Sequence, residues 1–250
     1  MEYQTVFKRH EMKYMLTLLQ KEKIIEAMST YMKLDKYGRT SIRNIYFDTD
    51  NYKLIRRSIE KPAYKEKLRL RSYSQVTSES TVFVELKKKY EKVVYKRRIP
   101  LCEHEAMRWI SGAAACPLDT QISREIDYFL YFYGNLRPTV FLSYEREAYY
   151  DIRGGDFRVT FDDNILCRQS DVSLCSSVYG TPILPEDTVL MELKCSGGIP
   201  LWMVRTLSRE GIYKTSYSKY GAAYKNLVLF ENPPLKTTKC KELFTNGCII

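Results

Sequence analysis

Apolar and polar residues alternate with a period of two through much of the chain, the signature of strands whose successive side chains face opposite ways. The alternation predicts strands over 42–48, 64–73, 81–89, 93–101, 139–150, 156–162 and 189–195. A period near 3.6 predicts helices over 17–32, where Thr17 is a candidate N-cap, and over 103–111, 121–133, 200–209 and 219–229. No repeat, low-complexity linker or clean domain boundary interrupts these elements. The pattern gives an α+β fold with an antiparallel sheet, and it lacks the strand–helix rhythm of a parallel one. One domain is expected over 1–230, followed at 231–250 by a loosely ordered tail with Pro233-Pro234 and scattered lysines.

The charges on these strands are patterned too. In Lys67-Leu68-Arg69-Leu70-Arg71 the bases share one face and the leucines the other. Glu85, Lys87 and Lys89 lie opposite Val82, Val84 and Leu86, and Glu192 and Lys194 lie opposite Met191 and Leu193. Tyr144 with Arg146, Arg158 with Thr160 and Asp162, and Glu11 with Lys13 repeat the arrangement. For a single strand, a solvated charged face accounts for this. For a series of strands, two closures are open. Either the charged faces point to water around an apolar interior, or they line an interior whose like charges require a bound polyanion and interleaved acids. Alternation does not choose between them.

Composition narrows the partners. The chain carries 40 Lys+Arg against 30 Asp+Glu, a formal charge of +10, in 250 residues of which 44% are hydrophobic. That excludes a disordered chain and points to an anionic partner. No apolar run reaches the ~18–20 residues of a membrane span, and the N-terminal residues do not read as a signal peptide, so a cytoplasmic globule is expected. Seven cysteines at irregular spacing and two histidines, His10 and His104, argue against a zinc site. The cysteines are expected to be reduced and mostly buried, Cys195 beside Lys194 lacking an evident base. No Gly-x-x-x-x-Gly-Lys loop is present. Gly154-Gly155 and Gly197-Gly198 are turn signals.

Several segments, in order, carry a family resemblance: Glu11-x-Lys13-Tyr14, Tyr46-Phe47-Asp48-Thr49, Leu68-Arg69-Leu70-Arg71, Val84-Glu85-Leu86-Lys87, Tyr144-Glu145-Arg146, Arg158-Val159-Thr160-Phe161-Asp162, Met191-Glu192-Leu193-Lys194 and Ser218-Lys219-Tyr220. Together they resemble the catalytic domain of the vacuolar transporter chaperone (VTC) family, within the triphosphate tunnel metalloenzyme superfamily. The resemblance runs from about Val6 to Leu229. It implies an antiparallel β-barrel with flanking helices and a basic tunnel. It further implies a metal-dependent polyphosphate polymerase that moves the γ-phosphate of ATP onto a growing chain. Hydrolysis of a triphosphate and non-catalytic polyphosphate binding are the alternatives.

By the same resemblance, Lys13, Arg69, Arg71, Lys87, Arg146, Arg158 and Lys219 are expected to grip phosphate. Lys96, Lys194, Tyr144 and Ser218 are weaker candidates. Glu192 is the first choice as ligand to Mn²⁺ or Mg²⁺, followed by Glu11 and Glu85; Asp162 serves either there or in a turn. Ser216 stands where some members carry a further Lys. The implied partners are ATP or another nucleoside triphosphate, polyphosphate or triphosphate, and a membrane protein in trans that would bring the chain to the inner face of a membrane. No DNA or RNA is expected.

Overall fold

A computed structural model describes residues 10–91 and 93–229. The tail at 231–250, with Cys240 and Cys248, lies outside them. Strand β1 (His10–Thr17) runs directly into α1 (Leu18–Met28). Thr17 makes the junction: its hydroxyl accepts from Gln20 N at 3.2 Å while Gln20 Oε1 accepts from Thr17 N at 3.0 Å, which satisfies amides a helix start leaves free. There follow β2 (Met32–Asp48), α2 (Lys53–Ile59), β3 (Tyr64–Ser72), β4 (Thr81–Tyr90), β5 (Val93–Cys102), α3 (Glu103–Ile110) and α4 (Gln121–Tyr133). Then come β6 (Arg137–Asp151), β7 (Arg158–Arg168), β8 (Thr181–Pro182), β9 (Thr188–Cys195), α5 (Leu201–Arg209), β10 (Lys214–Thr215) and α6 (Lys219–Ala223). A π-helical segment, Tyr224–Leu229, continues α6.

The helix expected over 17–32 stops at Met28, and β2 begins ten residues before the strand expected from 42. The early part of β2 is polar and mostly exposed, so it carries no alternating signal. Helix α2 escapes the sequence pattern because it is short and its first turn lacks a side-chain cap on Tyr52, which sits at φ 57°. Asp48 does the capping from a distance. Its Oδ1 accepts from Leu54 N and its Oδ2 from Ile55 N, each at 2.9 Å, and Oδ2 also accepts from the Tyr220 hydroxyl at 3.0 Å.

The strands form one antiparallel sheet in the order β10-β1-β9-β7-β6-β2-β3-β4-β5, with β8 added to β7. The expected α+β fold with a curled antiparallel sheet is present; among the described residues no ladder joins β5 to β1 or β10, so the barrel is not closed by backbone hydrogen bonds. Side chains span the gap instead. Lys87 on β4 pairs with Glu11 on β1 at 3.0 Å, though five strands separate β1 from β4 in the sheet. The sheet is thus curled with its charged face inward, which settles the closure that alternation left open.

The apolar faces point outward under helices. Leu68, Leu70, Val82, Val84 and Leu86 pack with Trp109 and Ile110 of α3 and Ile126 and Phe129 of α4. Tyr14, Leu16, Val159, Phe161, Met191 and Leu193 pack with Ile24 and Met28 of α1 and Met203 and Leu207 of α5. Each fully buried leucine contributes roughly 1.5–3 kcal/mol. A third cluster sits on the inner face. Tyr46, Leu142, Ile165 and Leu190 meet Ile55 of α2, Tyr220 and Ala223 of α6, and Tyr224 and Leu227 beyond it. Tyr46 stacks on Tyr220 with centroids 4.4 Å apart. The lumen therefore has an apolar floor.

Candidate active site: a lumen of paired charges

Above that floor, the inner faces of the strands converge on two buried carboxylate hubs. On one wall is Glu85 of β4, which has no solvent exposure. Arg69 approaches it at 2.7 Å and Lys96 at 2.6 Å, with Arg71 and Arg98 each at 3.7 Å. The register puts Arg69 and Arg98 directly across from Glu85 on either side. Burial disfavours the ionised carboxylate, but Arg71, Arg69 and Lys96 outweigh it and hold Glu85 well below the usual range.

The opposite wall is built on β1, β9, β7 and β6. Glu192 meets Lys13 and Lys194 at 3.2 Å each, Lys219 at 3.7 Å and Arg146 at 3.9 Å. Asp162 accepts two bonds from Arg146, at 2.6 and 2.7 Å, and a further bond from Lys219. Here too burial opposes ionisation, and the surrounding cations hold both carboxyls below their ordinary values. Glu11 is brought down to about 2: its burial is outweighed by Lys87 and Lys194. Tyr144 bridges the walls, accepting from Arg71 Nη2 at 3.2 Å beneath Lys219, whose ammonium stands 4.5 Å from the ring centre. Burial raises its phenol, but Arg71, Arg146 and Lys219 together leave it below its usual value.

The structure brings Lys13, Arg69, Arg71, Lys87, Lys96, Arg146, Lys194, Lys219, Tyr144, Glu11, Glu85 and Glu192 into one space. Arg158 lies on the same face, opposite Lys194 in the register, but is exposed at the rim. Ser218 is differently placed: its hydroxyl caps α6 by accepting from Gly221 N at 3.1 Å, and it also accepts from Lys67 Nζ at 3.1 Å. Arg97 points away, to Glu125 on α4 at 3.2 Å. Cys195 is buried in the outer core and its thiol is raised by burial, as suits a packing residue.

Sequence reasoning left Lys67 without a role, although its spacing from Arg69 already placed it on the charged face. Among the described residues no carboxylate pairs with it. Burial, then Lys65, Lys87, Lys13 and Arg69, push its ammonium down to about 7. Lys96 is also lowered to about 7 by burial, against the pull of Glu85. Added negative charge beside Lys67 would therefore be favoured.

The donor set fits a divalent cation held jointly with an anionic ligand. Among the described residues, no three His, Cys, Asp or Glu side chains converge to hold one alone. Glu192 offers one carboxylate on the lumen wall, and hard cations of the Mg²⁺ type complete such sites with phosphate oxygens and water. Four cations surround each of Glu85 and Glu192, and the two differ in access: the Glu85 side chain is fully enclosed, whereas that of Glu192 keeps 10% exposure to the lumen.

An antiparallel sheet curled around alternating cations and carboxylates, with α1, α3, α4 and α5 on its outer face, defines a tunnel-like α+β fold with a charged lumen. Two solved structures share the fold. The putative adenylyl cyclase HpAC1 from Hippeastrum, described as revealing a dominant triphosphatase activity, is 14% identical, with a TM-score of 0.55 over 88% of this chain and 96% of that one. A putative adenylate cyclase from Bacillus halodurans is 16% identical, with a TM-score of 0.52 over 86% of this chain and 96% of that one. A search of curated protein sequences finds no match. The family model of the VTC domain matches residues 8–228, and the chain belongs to the VTC domain family.

Proposed function

We propose that the chain is a metal-dependent polyphosphate polymerase that transfers the γ-phosphate of ATP to the end of a polyphosphate chain. The observation that carries this reading is the lumen: cations from both walls facing one space, in a member of the VTC domain family. Phosphoryl transfer needs alignment and charge stabilisation more than covalent help. Arg69, Arg71 and Arg146 offer planar forks to non-bridging oxygens, while Lys13, Lys87, Lys194 and Lys219 act as point charges. The two carboxylate hubs hold these cations in place in the absence of substrate, so little reorganisation is needed when the anion arrives. Glu192, with Glu11 as its nearest acidic neighbour on β1, would hold Mn²⁺ or Mg²⁺, which when bound neutralises charge on the transferring phosphate. We place the reaction in the cytoplasm, with a membrane protein in trans as the partner for its product.

The apolar floor favours a second reading, hydrolysis of a short triphosphate, because substrate and product then share one mouth. Among the described residues no helix is long and apolar enough to cross a membrane. The test is incubation of the purified protein with ATP and Mn²⁺ or Mg²⁺, followed by gel separation of polyphosphate. A ladder of chains supports polymerisation. Phosphate released with no chain favours the triphosphatase, and tight tripolyphosphate binding without turnover overturns both.

A further inference from the structure

The outer face of β2, β6 and β7 carries a second cationic cluster, separate from the lumen. Arg43 lies opposite Ser143 in the β2–β6 register, and Arg168 lies opposite Phe141 in the β6–β7 register. Phe141 and Ser143 are two apart on β6 and share a face, so the three polar side chains are near neighbours, with directly opposed Cβ atoms about 5 Å apart. All three are more than nine-tenths buried: Arg43 is 8% exposed, Arg168 4% and Ser143 1%. Arg43 makes no ion pair among the described residues. The nearest acid to Arg168 is Asp171, at 3.6 Å with its side chain 44% exposed. Burial and the neighbouring Arg168 both lower the Arg43 guanidinium, with Glu145 opposing weakly from the same side.

Part of each guanidinium is used to fasten the overlying loop. Arg43 Nη1 donates to Ser176 O at 2.8 Å, and Arg168 donates to Asp171 O and Tyr179 O at 3.0 Å each. The Arg168 guanidinium is held near the Phe141 and Tyr179 rings, 3.7 and 4.1 Å from their centres. Three donors are left over. Arg43 Nε, Ser143 Oγ and Arg168 Nη2, the last with only the Asp171 carboxylate at 3.6 Å, are closed to solvent and make no hydrogen bond. Two adjacent buried guanidiniums without a full countercharge are costly, and so are three buried unpaired donors. One small anion among them would relieve both costs.

We propose that Arg43, Ser143 and Arg168 form a buried site for a halide-sized inorganic anion, chloride being the physiological one. Three donors on neighbouring side chains suit a single-atom anion, which accepts bonds without directional demand. A buried phosphate would leave oxygens unpaired. The site stands back to back with the lumen: Asn44 and Tyr144, the residues after Arg43 and Ser143, both accept from Arg71. An anion here therefore clamps the strand segments that hold Arg71.

The test has two arms. Bromide-soaked crystals of the wild-type chain should show an anomalous peak within hydrogen-bond reach of all three residues. Thermal melts at equal ionic strength should show a saturable rise in sodium chloride over sodium gluconate, about 3–6 °C at tenfold excess over Kd. In Ser143→Ala, which leaves the lumen untouched, at least half of that rise should be lost. Bromide found in the lumen but not at this cluster, or equal wild-type melting in both salts, overturns the proposal. So does a full chloride effect retained in Ser143→Ala.

Discussion

Glu85→Gln keeps the size of the side chain and removes the charge on which four cations converge. Arg69, Lys96, Arg71 and Arg98 then remain within 2.6–3.7 Å of a neutral amide. Because Glu85 is fully enclosed, solvent does not screen the loss. Removing one partner of a buried pair costs about 3–5 kcal/mol, which for a chain of this size lowers Tm by about 6–20 °C. The same change should tighten binding of a polyanion. At an effective dielectric of about 20, a unit charge deleted about 6 Å from a phosphate oxygen alters their interaction by about 2–3 kcal/mol. At low salt that is tenfold or more in Kd. Thermal melts with and without tripolyphosphate, and titration calorimetry, read both quantities. The variant should be less stable alone and recover more than the wild type on adding tripolyphosphate. An unchanged Tm together with weaker binding would refute the view that Glu85 is the countercharge of an empty lumen.

Glu192→Gln should abolish divalent-dependent turnover by at least about 100-fold while tripolyphosphate binding persists, read by gel and calorimetry; normal turnover removes Glu192 as the metal ligand. Lys67 lies near 7 in the folded chain, so it is largely neutral above that pH and is charged by a bound polyanion. Because a bound polyanion favours the charged ammonium, tripolyphosphate affinity should rise as pH falls through about 7, with proton uptake measurable as a buffer-dependent heat, and Lys67→Met should diminish both. Glu11 is lowered from 4.5 to about 2, so its contribution to stability is complete above about pH 4.5 and is lost as pH falls through 2. Melts from pH 5 to 2 should show a smaller acid loss for Glu11→Gln than for the wild type.

Much of this site is legible in the sequence because a strand converts spacing into facing: Arg69 and Arg71, Glu85 and Lys87, and Glu192 and Lys194 each fall together by period alone. The direction of curl is not legible, since both closures preserve every alternation. What decides it is contact between residues far apart in the chain, such as Glu11 with Lys87 and Lys67 with Ser218. Asp162 is ambiguous in sequence because Asp163 and Asn164 follow it. The fold uses it as the bidentate partner of Arg146, and the turn falls elsewhere. Arg43 and Arg168 sit beside Ile42, Asn44, Cys167 and Gln169, a setting that carries no charge pattern, so their burial emerges from the loop that folds over them.

The gap in the sheet bears on topology in the mathematical sense. A barrel sealed all round by backbone hydrogen bonds is a ring, and a polymer can occupy a ring only if one of its ends is passed through. Among the described residues this sheet is a scroll whose edges, β5 and β10, share no ladder, and the Lys87–Glu11 pair and the Lys67–Ser218 hydrogen bond reach across from within. Parting such a scroll would break side-chain contacts and leave every ladder intact, so the topology of this sheet does not require a chain end to be threaded.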